Sequence, residues 1–264
     1  MPEVRKLLAD EFVPVRFVAA VAVGDTRYAP AKADVLGLLK DKDQNVRFAA
    51  EYAVSKLAPG TLTEQINKGL KSPDLQIRAN AAMLLGKTGN KKAIPILYET
   101  MRDESSDDRT RLNSIEAIAR LGDERIYQKI WALLISAYAD DRVLGVQAMG
   151  ALGTSQAKEA IMTKLDDDLM EVRLIAAEQL GSLGNPTGET IVIEALTQGT
   201  SGGDDQETKN RINTLAALAI GQIRTAGLKK FLPELLNNDS QFVKIAAAKA
   251  VFLIGDDDNI GRLE

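Results

Sequence analysis

Apolar and small residues recur along this chain in one motif: an apolar residue, Arg, two variable positions, two small residues, two more variable positions, an apolar residue and Gly. It reads VRLIAAEQLG from Val172 to Gly181. The same pattern returns around Arg16, Arg47, Arg78, Arg111, Arg142 and Arg173, then in weaker form around Asn213 and Lys244. The separations are 31, 31, 33, 31, 31, 40 and 31 residues, so five of the seven steps are identical. Self-similarity at such a period is the sign of a helical solenoid. Each unit reads as two helices. The first is short and periodic, as in KKAIPILYETM, ERIYQKIWALL, GETIVIEALT and LKKFLPELL. A polar turn rich in Asp follows, such as KDKDQN or KSPDLQ, able to cap the second helix through a carboxylate. The second helix carries the Arg motif and ends near a glycine.

At about 100° per residue, the apolar residue before Arg, the first small residue and the later Leu share one narrow arc, which is the core-facing stripe. The second small residue and the Gly lie beside it, where missing bulk lets a neighbouring helix come close. The Arg also sits toward the core. A guanidinium there needs acceptors, and Asp residues in the turns of adjacent units are the expected ones. The arginines therefore read as a structural ladder and not as ligand-binding groups.

The pattern D-x-x-V-R-x-x-A-A-x-A-L-G-x-L-G, with a preceding helix of the A-I-P-x-L kind, resembles the phycobilisome-lyase type of HEAT-like repeat. Arg78, Ala81, Ala82, Leu85, Gly86 and Gly89 with Ile94-Pro95 carry the likeness, as do Val172, Arg173, Ala176, Ala177, Leu180, Gly181 and Gly184. The sequence departs from it at Ser55, Ala58, Ala119, Asn213, Lys244 and Phe252. The resemblance covers nearly the whole chain. It implies an all-α, right-handed α-solenoid of about eight 31-residue hairpins, with the second helices on the concave side. It implies little about activity, since such repeats occur in lyase subunits, chaperone-like factors and scaffolds.

Residues 1–264 thus read as one HEAT-like array, with TSGGDDQE at 200–207 as a flexible loop insertion. Both ends read as open: EVRKLLAD leaves little room for a cap, and 256–264 begins another unit. The expectation is a segment of a longer protein, its end faces covered by further repeats, another domain or a second copy.

Composition narrows the chemistry. The chain has 264 residues, a formal charge of −4, 45% hydrophobic and 27% charged residues, which suits a globular core. It has no Cys and no His, which removes disulfides, cysteine nucleophiles, Ser-His-Asp chemistry and the usual zinc sites. No metal and no cofactor is expected. Asp166–Asp168 and Asp256–Asp258 lack the EF-hand spacing and read as turn acids. Mild acidity argues against nucleic acid as a partner, and no apolar run is long enough for a membrane span. The start, MPEVRKLLADEF, lacks the apolar core of a secretory signal. That leaves the cytoplasm as the default compartment and export of a longer precursor open.

Opposite the core stripe lie the positions one, two, five and nine after the motif Arg. At the first three of these, 17 of 24 residues over the eight units are apolar, where an idle solenoid would be polar. Phe17, Val18, Val21, Phe48, Tyr52 and Met83 are the candidate partner-binding residues of this groove. Lys56, Lys87 and Arg120, all at the ninth position, form its basic edge. The leading functional expectation is a non-catalytic interaction scaffold binding a protein or peptide. The alternative, permitted by the resemblance, is a lyase or chaperone-like subunit handling a chromophore or cofactor. No residue is assigned a catalytic role.

Overall fold

The computed structural model describes residues 2–58, 64–197 and 205–255. The described residues form 17 α-helices, short 3-10 turns and no strand. The chain divides into two compact units, Met1–Ile126 and Tyr127–Glu264. The first holds α1 (Pro2–Leu7), α2 (Val13–Thr26), α3 (Lys32–Leu38), α4 (Gln44–Leu57), α5 (Glu64–Gly69), α6 (Leu75–Thr88), α7 (Ile94–Arg102) and α8 (Asp108–Arg120). The second holds α9 (Tyr127–Leu134), α10 (Ala139–Leu152), α11 (Ser155–Met162), α12 (Met170–Ser182), α13 (Glu189–Thr197) and α14 (Gln206–Ile223), then α15 (Ala226–Lys229), α16 (Leu232–Leu236) and α17 (Gln241–Ile254). No described helix is long and apolar enough to cross a membrane. Of the loop expected at 200–207, residues 200–204 lie outside the described residues, as do Asp256–Asp258 and the unit expected to start there.

The eight motif helices are α2, α4, α6 and α8 in the first unit and α10, α12, α14 and α17 in the second, and each unit is the all-α, solenoid-type stack of hairpins the repeat implies. Within each unit every motif helix packs on its own first helix and on the motif helix of the next hairpin: α2 on α4, α4 on α6, α6 on α8, and likewise α10, α12, α14 and α17 in order. The core stripe falls where the wheel puts it. Val172, Ala176 and Leu180 of α12, and Val243, Ala247 and Val251 of α17, are fully buried.

Caps define the helix ends. Asp43, Asp74, Asp107 and Asp205 accept backbone N–H groups in the first turns of α4, α6, α8 and α14, each worth about 1 kcal/mol. The motif's two glycines have different tasks. The later one takes a left-handed backbone after the helix, as at Gly89 (φ 80°) and Gly184 (φ 77°), which a Cβ would strain. The earlier one admits a neighbour: a Cβ on Gly86 would lie 2.6 Å from the Ala117 Cα, and one on Gly221 2.9 Å from the Ala250 Cα.

The arginine ladder is present. Arg16 forks onto Asp41 of the next hairpin at 2.9 and 3.0 Å and also donates to the carbonyls of Asp10 and Glu11. Arg142 repeats this with Asp167 at 2.9 Å, with Asp168, and with the carbonyls of Ser136 and Ala137. Each guanidinium thus reaches both its own turn and the following hairpin. Arg47 and Arg78 keep the turn carbonyls, and where the next turn offers Ser105 instead of Asp, Arg78 donates to that hydroxyl. Arg173 turns instead to Glu194 on α13. Asp166–Asp168 are accordingly turn acids, and no cluster of acids among the described residues is arranged to hold a metal.

Candidate functional site

The nine candidate residues all lie in the first unit, on α2, α4, α6 and α8. The structure separates them into three groups.

Phe48 and Tyr52 are not on an open face. They are 2% and 1% exposed and rank among the largest fully buried side chains. The position after the motif Arg is only about 20° from the motif glycine on the helical wheel, so it belongs to the flank that the next hairpin covers. Phe48 accordingly packs on Gly69 of α5, where a Cβ would meet its ring. Tyr52 lies over Gly24 of α2, where a Cβ would come within 2.5 Å of its ring. The motif glycine Gly24 and the α5 glycine Gly69 each receive an aromatic ring from a neighbouring helix. Expecting these two at the surface was an error of assigning a flank to the groove.

Phe17, Val21 and Met83 are half-buried, and Val18 is 62% exposed. The second position after Arg faces the preceding hairpin, which is why its counterparts Ala49 and Asn80 are buried. Among the described residues α2 is preceded by the six-residue α1, which leaves Val18 uncovered. Phe12, at the head of the same helix, is also 62% exposed.

The cations have partners within the unit. Lys87 Nζ binds both oxygens of Asp25 at 2.8 and 3.0 Å. Arg120 pairs with Glu116 one turn back on α8. Lys56 donates to the Lys87 carbonyl at 3.4 Å, at the C-terminal end of α6, where a positive charge complements the helix dipole. Tyr52 completes the group: its hydroxyl donates to Asp25 at 2.6 Å. Burial, and then that bond to a carboxylate, raise the phenol's pKa well above its ordinary value. Asp25, the residue at the ninth position of the first hairpin, therefore anchors the row, and the basic edge carries less free charge than its residue count suggests.

Two carboxylates outside the candidate set are withdrawn from solvent, and Glu178 is one that the motif count places on the open arc. Glu51 occupies a core position where other hairpins carry Ala, Ile or Val, and it is buried. It accepts the backbone N–H groups of Gln65 and Ile66 at the start of α5. Burial raises its pKa, only partly offset by those bonds. It borders a cavity of about 500 Å3 with Leu39, Arg47, Phe48, Val54 and Gln65. Glu178 of α12 is half-buried and raised by burial, with Lys249 opposing the shift. A charged residue breaking an otherwise apolar column was the available signal for Glu51.

Residues 62–143 match the profile of the HEAT repeats family. No curated protein matches the sequence. Among solved structures, the fold is similar to the complex of CpcE and CpcF of phycocyanin lyase from Nostoc sp., at 18% identity over 97% of this chain and 94% of that one, with a TM-score of 0.49. Human deoxyhypusine hydroxylase is similar at 16% identity over 97% and 96% of the two chains, with a TM-score of 0.45. An archaeal HEAT-like repeats protein from Thermococcus onnurineus follows at 16% identity over 96% of each chain, with a TM-score of 0.29. Residues 62–143 thus match HEAT repeats, and the eight motif helices, each packed on its hairpin partner, give the chain an all-α, HEAT-like repeat fold.

Proposed function

We propose that this protein is an interaction scaffold that holds a protein or peptide without chemistry on it, and that α2 is the centre of its docking strip. The observation that carries the reading is the uncovered apolar surface of that helix. Val18 and Phe12 are each 62% exposed, with Phe17 and Val21 half-buried beside them. Met83 of α6 adds an adaptable apolar side chain on the same unit. Apolar surface displayed on a rigid element binds with little ordering cost. Lys56, Lys87 and Arg120 steer the partner weakly, because each already has an intramolecular acceptor. The non-catalytic part of the reading rests on composition, which supplies neither His nor Cys.

The test is a pull-down from the native source, comparing the wild type with Val18→Asp combined with Met83→Glu. The variant keeps its far-UV circular dichroism and loses the captured partner. Identical capture by both proteins refutes the strip. The chromophore-handling alternative has its own readout: a shift in visible absorbance on mixing with a bilin or haem.

A further inference from the structure

One turn apart on α4 stand two opposite charges that do not engage each other. Arg47 donates through Nη1 to the carbonyls of Asp41 and Lys42 at 2.7 and 3.0 Å. Glu51 accepts the N–H groups of Gln65 and Ile66 at 3.2 and 3.0 Å. Both side chains line the cavity of about 500 Å3 in the first unit, whose other walls include Leu39, Phe48, Val54 and Gln65. Opposite charges at i and i+4 ordinarily attract one another. Here each instead keeps hydrogen-bonding capacity unused.

On Arg47 that capacity is the bidentate fork. In the ladder, Nε and Nη2 of Arg16 grip Asp41 at 2.9 and 3.0 Å, and those of Arg142 grip Asp167 at 2.9 Å. Each acid lies 25 residues after its arginine. At the same offset from Arg47 stands Ser72, and its carbonyl is taken by Arg78. The nearby Asp41 carboxylate is held by Arg16. Nε and Nη2 of Arg47 therefore bond no acceptor among the described residues, and a carboxylate is the group that fits such a fork. On Glu51, which is 8% exposed, each oxygen accepts one N–H and has a second lone pair to offer. Among the described residues no cation bonds to it; Lys68 acts from a distance, and Glu64 opposes Lys68. An ammonium group suits that carboxylate. A ligand bearing only one of the two charges would be repelled by the other residue. The remaining wall, Leu39, Phe48 and Val54, is apolar.

We infer that this cavity binds a small zwitterion, an α-amino acid with an apolar side chain. Its carboxylate takes the Arg47 fork in place of the missing ladder aspartate, and its ammonium group meets Glu51. Its side chain lies on Leu39, Phe48 and Val54. The volume is ordinary for a small-molecule site. The site is built on α4 with its neighbours α3 and α5, and it does not depend on the strip proposed on α2.

Equilibrium dialysis of the full chain against L-leucine, N-acetyl-L-leucine and L-leucinamide reads the two polar contacts without altering the protein. Leucine binds, and blocking either its amine or its carboxylate lowers the affinity by about tenfold or more. Arg47→Lys keeps a charge but loses the fork, and Glu51→Gln keeps the shape but loses the charge. Each weakens leucine binding by a similar factor. Far-UV circular dichroism establishes that a variant is folded, and the ligand series decides alone where one is not. Failure of leucine, phenylalanine and methionine alike to bind at millimolar concentration overturns the inference. So does N-acetyl-leucine or leucinamide binding as tightly as leucine, or a folded Arg47→Lys protein that binds leucine like wild type.

Discussion

Lys87 reaches Asp25 across 62 residues, closing an ion pair from α6 to α2 past the hairpin that separates them in sequence, and Tyr52 of that hairpin donates to the same carboxylate. The two bonds differ in what they contribute. The Lys87 pair is partly exposed and worth less than about 1 kcal/mol. The Tyr52 bond is sheltered and ends on a charge, worth about 1.5–3 kcal/mol. Tyr52→Phe is therefore expected to lower stability in urea melts more than Lys87→Met does, and only the Lys87→Met effect fades at high salt.

Phe48 tests the reassignment from groove to core. Phe48→Ala is expected to cost about 3–5 kcal/mol, and Phe48→Asp to unfold the first unit. Gly69→Val destabilises as well, because its side chain would enter the space of the Phe48 ring. Chemical denaturation followed by circular dichroism measures all three. A Phe48→Asp protein that melts like wild type returns this residue to the surface.

Arg142 and Asp167 form the most enclosed ion pair of the ladder, at 10% and 3% side-chain exposure. Burial alone would raise the Asp167 pKa; the Arg142 fork and the Leu169 N–H outweigh it and hold it below the ordinary 3.8. With a depressed folded-state pKa, the contribution is complete above the unfolded value and is lost as pH falls through the folded one. Arg142→Ala should cost about 3–5 kcal/mol at pH 7 by stranding the carboxylate. That difference shrinks in pH-dependent urea melts as pH falls below the ordinary 3.8 and through the depressed Asp167 pKa, where the carboxyl becomes protonated in both proteins.

Glu178 has the opposite sign. Its pKa is raised by burial above the ordinary 4.5, so its contribution is present at low pH and lost as pH rises through the folded value. Glu178→Gln should stabilise the protein at pH 7 and leave it unchanged at pH 3.5. A melt comparison at the two pH values checks this, and greater loss at pH 7 would show that Lys249 outweighs burial.

The repeat, its period and its core stripe were legible because they depend on local rules. Val172, Ala176 and Leu180 sit on one arc in any α-helix, and Gly89 and Gly184 end helices through backbone geometry alone. The ladder was legible too, since a core-side guanidinium demands acceptors wherever it occurs, and Asp41 and Asp167 supply them. The site was read less well. Counting positions after Arg distinguishes the core side from the far side, but it does not tell the far side from the flanks. Phe48, Tyr52 and Val18 are apolar residues at neighbouring positions of the same motif, and they end at 2%, 1% and 62% exposure.

Sequence by itself determined the element type, the hairpin order and which stripe of each motif helix is buried. Those follow from helix periodicity and from the short turns joining consecutive elements. Only the tertiary structure decided which side chains of the remaining surface stay open, because that depends on whether a neighbouring helix occupies each flank. Phe48 is covered by α5 and α6, while Phe252 on α17 meets no such neighbour among the described residues. Exposure is a property of the pair of helices, and no single helix's sequence carries it.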